Sequence, residues 1–119
     1  MPNDLPSHAQ AAIAELRTAM AAVANGDVGP IKALCSHTAD VTSFYGWGGH
    51  EHGWEAVSRR WDWAGRQFQG GTVRHENIST VLAGDMMLVT DIETFENQRV
   101  AGVAQPTGWT NRVTHVFRR

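Results

Sequence analysis

At 119 residues and 42% hydrophobic content, the chain has the size and composition of one globular domain spanning 1–119, not of a disordered segment. A formal charge of −2 argues against nucleic-acid or anionic-membrane partners, which require a basic face, and no apolar run approaches the ~20 residues that cross a bilayer. A single cysteine, Cys35, excludes an internal disulfide and fits a reducing, cytoplasmic setting; the opening Met-Pro-Asn-Asp lacks the basic flank and apolar run of a signal peptide.

The first element is a helix. Ser7 and Gln10 have the spacing of a capping box, and Ile13, Leu16, Met20 and Val23 recur at three and four residues along one stripe. Asn25-Gly26 ends it, since both residues tolerate positive φ. Asp27 then caps a shorter helix with Pro30 in its first turn, burying Ile31 and Leu34. His37 to Asp40 is a polar exit. Val41 to Tyr45 has the β-branched and aromatic content of a strand, and the glycine-rich run from Gly46 to Gly53 reads as a hairpin or irregular loop. From Trp54 the period changes: Trp54, Val57, Trp61, Ala64 and Phe68 form a helical stripe that Gly70-Gly71 terminates. Strands follow at about Thr72–Leu82, Met86–Glu96 and Trp109–Phe117. This order predicts an α+β fold, a curved and mostly antiparallel sheet wrapped as a cone around about three helices gathered toward the N-terminus.

Aromatic usage is the unusual feature of the composition. Five tryptophans stand beside one tyrosine, and four of the five fall between Trp47 and Trp63. Such a cluster is a thick core, a ligand wall, or both. Trp54 and Trp61 lie on the apolar stripe; Trp63 falls off it and Trp47 sits among glycines, which makes these two candidates for a pocket rim or partner surface. His75 and Asn77 alternate with Val73 and supply polar points in an apolar wall.

Three polar groups are candidates for chemistry. Asp91 and Glu93 share a strand face with Met87, Val89 and Phe95, and a carboxylate on an apolar face must be paired or have its pKa raised. A carboxylate beside His115 or His75 is suited to abstract a proton from a carbon acid. The alternative is structural: Asp91 or Glu93 pairs with Arg112 or Arg74 across the sheet, or faces water at an edge. His50 and His52, two apart with Glu51 and Glu55 nearby, form a second candidate, a sparse metal site or two solvated histidines. Cys35 near His37 is the third, and a lone cysteine is usually a small core residue rather than a nucleophile.

Gly53-Trp54-Glu55-Ala56-Val57, Arg60-Trp61, Gly84-Asp85 and Arg112 to Arg118 together resemble the SnoaL-like branch of the nuclear transport factor 2-like superfamily, from about Ala11 onward. The resemblance implies a cone-shaped domain, commonly a homodimer, that binds an apolar small molecule. The family includes ketosteroid isomerases, polyketide cyclases, epoxide hydrolases, dehydratases and non-catalytic modules. On that basis the expected site uses Asp91 or Glu93 as base and His115 or His75 in the proton path. Tyr45 would donate to developing negative charge, and Trp47, Trp61, Trp63, His75, Asn77 and Arg112 would line the pocket, with no metal and no cofactor. The rival expectation is a non-catalytic ligand-binding or dimerisation module. Tyr45 stands where the isomerases carry their aspartate, so steroid isomerisation is not implied. Members of the family also continue through a further strand beyond the position of Arg118-Arg119. The sequence then either stops short of the natural protein, the favoured expectation, or another chain supplies that strand.

Overall fold

A computed structural model describes residues 5–119; the first four, on which the reading of the N-terminus rests, lie outside it. Helix α1 spans Ser7–Ala24 and α2 spans Gly29–Leu34; strands β1 (Thr42–Phe44) and β2 (His50–His52) form a hairpin, and α3 spans Trp54–Gln67. The long strands β3 (Thr72–Ala83), β4 (Met86–Gln98) and β5 (Thr107–Arg118) complete the chain. Every ladder is antiparallel, as expected, but the strands form two sheets, β1–β2 and β3–β4–β5, where the sequence suggested one. Among the described residues no helix is long and apolar enough to cross a membrane.

The helices bury the stripes their spacing sets. Leu16, Met20 and Val23 of α1 pack with Val57, Trp61 and Ala64 of α3, and with Phe68 and Phe95, in the main core cluster. Burying each of the larger aliphatic and phenylalanine side chains contributes about 1.5–3 kcal/mol. Ile31 is buried on α2, whereas Leu34 is exposed, because the six-residue helix is too short to set a second turn against the core. The expected capping box does not form: Pro6 is the N-cap, Ser7 lies inside the helix, and Gln10 Nε2 donates to the Leu5 carbonyl at 2.7 Å. Proline has no side-chain acceptor for the first-turn N–H groups and no N–H of its own for a reciprocal side chain to bond, so neither half of a capping box is available there. Asp27 sits one residue ahead of the α2 N-cap, Val28, and its Oδ1 accepts the Gly29 N–H at 3.1 Å. At the junction of α1 and α2, Gly26 adopts φ +85°, and a Cβ there would stand 2.8 Å from the Phe68 carbonyl oxygen. Only glycine combines that dihedral with so close an approach.

One fully buried amide ties the base of the fold together. Gln98, at the end of β4, directs Nε2 at the carbonyls of Ala24 (2.8 Å), Gly70 (3.1 Å) and Arg99 (3.0 Å). A side chain at Gly71 would collide with this amide. The end of α1, the loop after α3 and the end of β4 therefore share one donor group.

Strand β4 alternates strictly. Met87, Val89, Asp91, Glu93 and Phe95 point inward and are buried; Met86, Leu88, Thr90, Ile92 and Thr94 point outward. Register extends this into rungs across the sheet. The inner rungs are Val73–Phe95–Trp109, His75–Glu93–Asn111, Asn77–Asp91–Val113, Thr80–Val89–His115 and Leu82–Met87–Phe117. Shifts between Asn77 and Ser79, and between Phe95 and Gln98, are irregularities of the kind that bend a strand and strengthen its twist.

Candidate functional site

The inner rungs place polar groups where a core would otherwise be apolar. Asp91 and Glu93 are 2% and 3% exposed, as buried as the valines and phenylalanines beside them. Two residues apart on one strand, their carboxyls are separated by about 7 Å. Each has its own partners. Glu93 Oε2 lies 2.9 Å from His75 Nε2, and Glu93 Oε1 accepts from Asn111 Nδ2 at 3.3 Å. Asp91 Oδ1 accepts from Asn77 Nδ2 at 3.0 Å and meets Arg17 Nη2 of α1 at 3.5 Å. The partners envisaged for a structural pairing are elsewhere. Arg74 pairs with Glu96 on the exposed side, and Arg112 points outward, away from the pocket-lining position expected of it.

His115 lies two rungs from Glu93 on the same face, and its buried Nε2 has no hydrogen-bond partner. Burial pushes its pKa below the ordinary 6.5, against the pull of Glu93 and Asp91, so the imidazole is held toward its neutral form. A neutral imidazole with a free ring nitrogen donates or accepts according to tautomer.

The aromatic set closes over this row from the hairpin side. Tyr45 and Trp47 stack at 4.9 Å, and Trp61 meets both edge-on at 5.7 and 6.0 Å. The turn that carries them presses on the polar row, for a Cβ at Gly46 would overlap the Asn111 amide. Trp47 Nε1 is buried without a partner, and the Tyr45 hydroxyl lies close to Ser43 without meeting hydrogen-bond geometry. Burial raises the Tyr45 pKa, which keeps the phenol protonated and able to donate. Trp47 is half-buried against the core rather than standing at a rim. Trp63 is the more exposed member, tilted against Trp47 at 5.8 Å, with the Arg60 guanidinium over its ring at 5.5 Å.

Asp91, Glu93, His115, His75 and Asn77 thus share one face of the sheet, with Tyr45, Trp47 and Trp61 packed on the core beside it. Arg17 and Asn111 were not singled out from sequence. Arg17 follows Ile13 by four residues and precedes Met20 by three, so its spacing on the apolar stripe is the signal that identifies it. His50 and His52 lie exposed on the hairpin, with Phe44 stacked on His50, while Glu51 turns away to pair with Arg60 at 2.9 Å. Cys35 is half-buried, and burial raises its thiol pKa, which disfavours the nucleophilic thiolate.

No family model and no curated protein matches the chain. Among solved structures it is similar to a hypothetical protein with a ketosteroid isomerase-like fold from Catenulispora acidiphila, crystallised with trimethylamine. The two share 20% identity over 86% of this chain and 73% of the other, with a TM-score of 0.49.

Proposed function

We propose that the chain is a cytoplasmic, homodimeric small-molecule protein that performs metal-independent acid–base chemistry on an apolar compound with a weakly acidic C–H. The observation that carries this reading is the buried Glu93 carboxylate. It lies against His75 on a face that also holds an unpartnered imidazole nitrogen. Natural proteins satisfy nearly all buried polar atoms, so partnerless buried donors and acceptors beside a carboxylate mark a place for a ligand's polar atoms. In this reading Glu93 is the base. His75 and Asn111 orient its two oxygens, each of which retains a lone pair for an incoming proton. Tyr45 and Trp47 donate to the oxygen on which negative charge develops, and His115 returns a proton. Asp91, engaged by Asn77 and Arg17, balances charge and fixes the neighbouring rung. Trp61 and Trp63 supply apolar wall.

A second reading has its own support: Glu93 and His75 are almost fully buried and already satisfy one another, as a purely structural pair does. Incubating the protein with a panel of apolar ketones in deuterium oxide, and following C–H exchange by NMR, separates the two. The catalytic reading expects faster exchange for at least one ketone, falling about 10²-fold or more in Glu93→Gln. Binding without exchange supports the non-catalytic module, and exchange that Glu93→Gln leaves intact refutes Glu93 as the base.

A further inference from the structure

Asp91, Glu93 and His75 are nearly sealed from solvent, so a molecule that reaches them needs part of the cover to move. The parts of that cover are held unequally. Helices α1 and α3 supply most of the main core cluster, and neither can leave without dispersing it. The β1–β2 hairpin is a sheet of its own, outside the β3–β4–β5 ladder. Its strands pair over three residues each, and its tip closes on itself: the Tyr45 N–H donates to the Gly49 carbonyl at 3.2 Å and the Gly48 N–H to the Tyr45 carbonyl at 3.0 Å. At its base the Gly53 N–H donates to the Val41 carbonyl at 2.7 Å, and the Trp54 N–H to the Thr38 carbonyl at 3.0 Å. Between base and tip, the polar tie from the hairpin to the rest of the described residues is one partly exposed ion pair, Glu51 with Arg60 at 2.9 Å. Phe44, 79% exposed, looks outward from the same hairpin.

The inner side of the hairpin meets the candidate site. Tyr45 and Trp47 pack on the core, and the turn at Gly46 abuts the Asn111 amide, which donates to Glu93 Oε1. We propose that the β1–β2 hairpin is a gate. It swings as one piece about Val41 and Gly53, breaks the Glu51–Arg60 pair, and lifts the Tyr45–Trp47 turn off Asn111 to admit a ligand to Glu93. This gate serves the acid–base site proposed above, on which the inference rests, and supplies its entrance. A lever of four or five extended residues is about 15 Å long, so a rotation of about 25° moves the tip by about 6 Å, clear of the Asn111 amide. Hinges of this kind are a few residues at the ends of an element, and Gly53, at φ +88° ahead of α3, is one. Closure brings back two buried donors that have no partner in the closed molecule, the Tyr45 hydroxyl and the Trp47 indole N–H. The donors therefore arrive once the ligand is seated, and water is excluded in the same movement.

Two variants act on the gate without touching the carboxylates. Glu51→Gln removes the latch. Gly46→Ala props the turn, because Gly46 lacks a positive φ and its new Cβ meets the Asn111 amide while the backbone itself tolerates alanine. Hydrogen exchange read by mass spectrometry follows the hairpin, and carbethoxylation by diethyl pyrocarbonate, read peptide by peptide, follows access to the buried His75 and His115. In the wild type, amides of the hairpin should exchange about 10²-fold faster than those of β4 from Val89 to Glu93. Glu51→Gln should speed hairpin exchange about two- to fivefold, the range of a partly exposed ion pair. Gly46→Ala should speed it about tenfold or more, with β4 unchanged in both. Modification of His75 and His115 should rise in step, while that of the exposed, distant His8 stays constant. Hairpin amides that exchange together with β4, or variants that speed β4 equally, overturn the gate, because the hairpin is then part of the core. Faster hairpin exchange with His75 and His115 no more reactive than before also overturns it, since the hairpin then moves without opening the site. Neither readout contains a substrate, so either result leaves Glu93 as base to be judged by C–H exchange, and failure of that base leaves the gate standing.

Discussion

Replacing Gln98 by glutamate tests the account of the fold more sharply than any core truncation, because it changes no shape. The buried Nε2 points at three carbonyl oxygens, those of Ala24, Gly70 and Arg99, and the other amide atom, Oε1, has no partner. Glutamate puts an oxygen where the donor stood. The amide has two hydrogens to share among these acceptors, so the loss is two full hydrogen bonds at about 1 kcal/mol each. The three carbonyls keep their backbone donors, from Gly70, Arg99 and Gln69, so none is orphaned. A carboxylate left buried against acceptors costs a further ~1–3 kcal/mol. The total of about 3–5 kcal/mol is a large share of the 5–15 kcal/mol that holds a domain folded. With a urea m-value of about 1–3 kcal/mol/M, the midpoint at neutral pH should fall by roughly 2 M. The pH dependence adds a check. Burial among carbonyls raises the folded-state pKa of the new carboxyl above its unfolded value of about 4.3, so the variant binds more protons when folded. The loss relative to wild type should then shrink as pH falls toward the unfolded value and be complete above the folded one. Circular dichroism during urea titration at two pH values reads both effects. A variant with the wild-type midpoint at neutral pH would refute the donor assignment, and the amide would have to face the other way.

Two other outcomes follow from the site. His115 faces Glu93, Asp91, His75 and Arg17, and its folded-state pKa lies below 6.5, so the unfolded chain takes up its proton first as pH falls. Its contribution is fully present above that value and lost below it, with a slope of at most about 1.4 kcal/mol per pH unit. His115→Gln should flatten stability between pH 7 and 5 relative to wild type, with the other groups common to both proteins; equal slopes would contradict the assignment. Trp61→Ala, which removes a buried ring at the centre of the aromatic set, should cost about 3–5 kcal/mol by thermal or urea unfolding, whereas Trp63→Ala at the exposed edge should cost about 1 or less. Equal losses would show that the cluster is not layered from core to surface as described.

Much of the fold was readable because burial follows period. The stripe from Trp54 to Phe68 and the alternation from Met87 to Phe95 predict α3 and the inner face of β4, since a side chain's face follows from its spacing alone. Spacing likewise puts Asp91 and Glu93 on one face with Met87, Val89 and Phe95, although which face looks inward is settled only by the packing of β4 against the helices. Their partners were less accessible. Arg17 has the spacing of the α1 stripe, but spacing alone does not name Asp91 as its partner, and the pairing of Asn77 with Asp91 depends on a register shift at Ile78 that no local signal announces. Gln98 is invisible for a similar reason: a glutamine at the end of a strand reads as loop, and only tertiary closure makes it the most protected amide of the base. Trp47 reads as a rim residue from its glycine neighbours, yet those glycines let the turn fold inward onto Asn111.

The His75–Glu93–Asn111 rung lies in the interior of its three strands, away from every connection. The turn from Ala83 to Met86 and the segment from Arg99 to Pro106 lie beyond the ends of that rung. Either connection can grow, shrink or be replaced without moving the three side chains, because their spacing is set by pairing and not by the chain between strands. A one-residue slip of β4, by contrast, would turn the acid outward together with the whole apolar set. Loop length is free to vary in this molecule, whereas strand register is not, and a library built on it should randomise the turns and leave the ladder untouched.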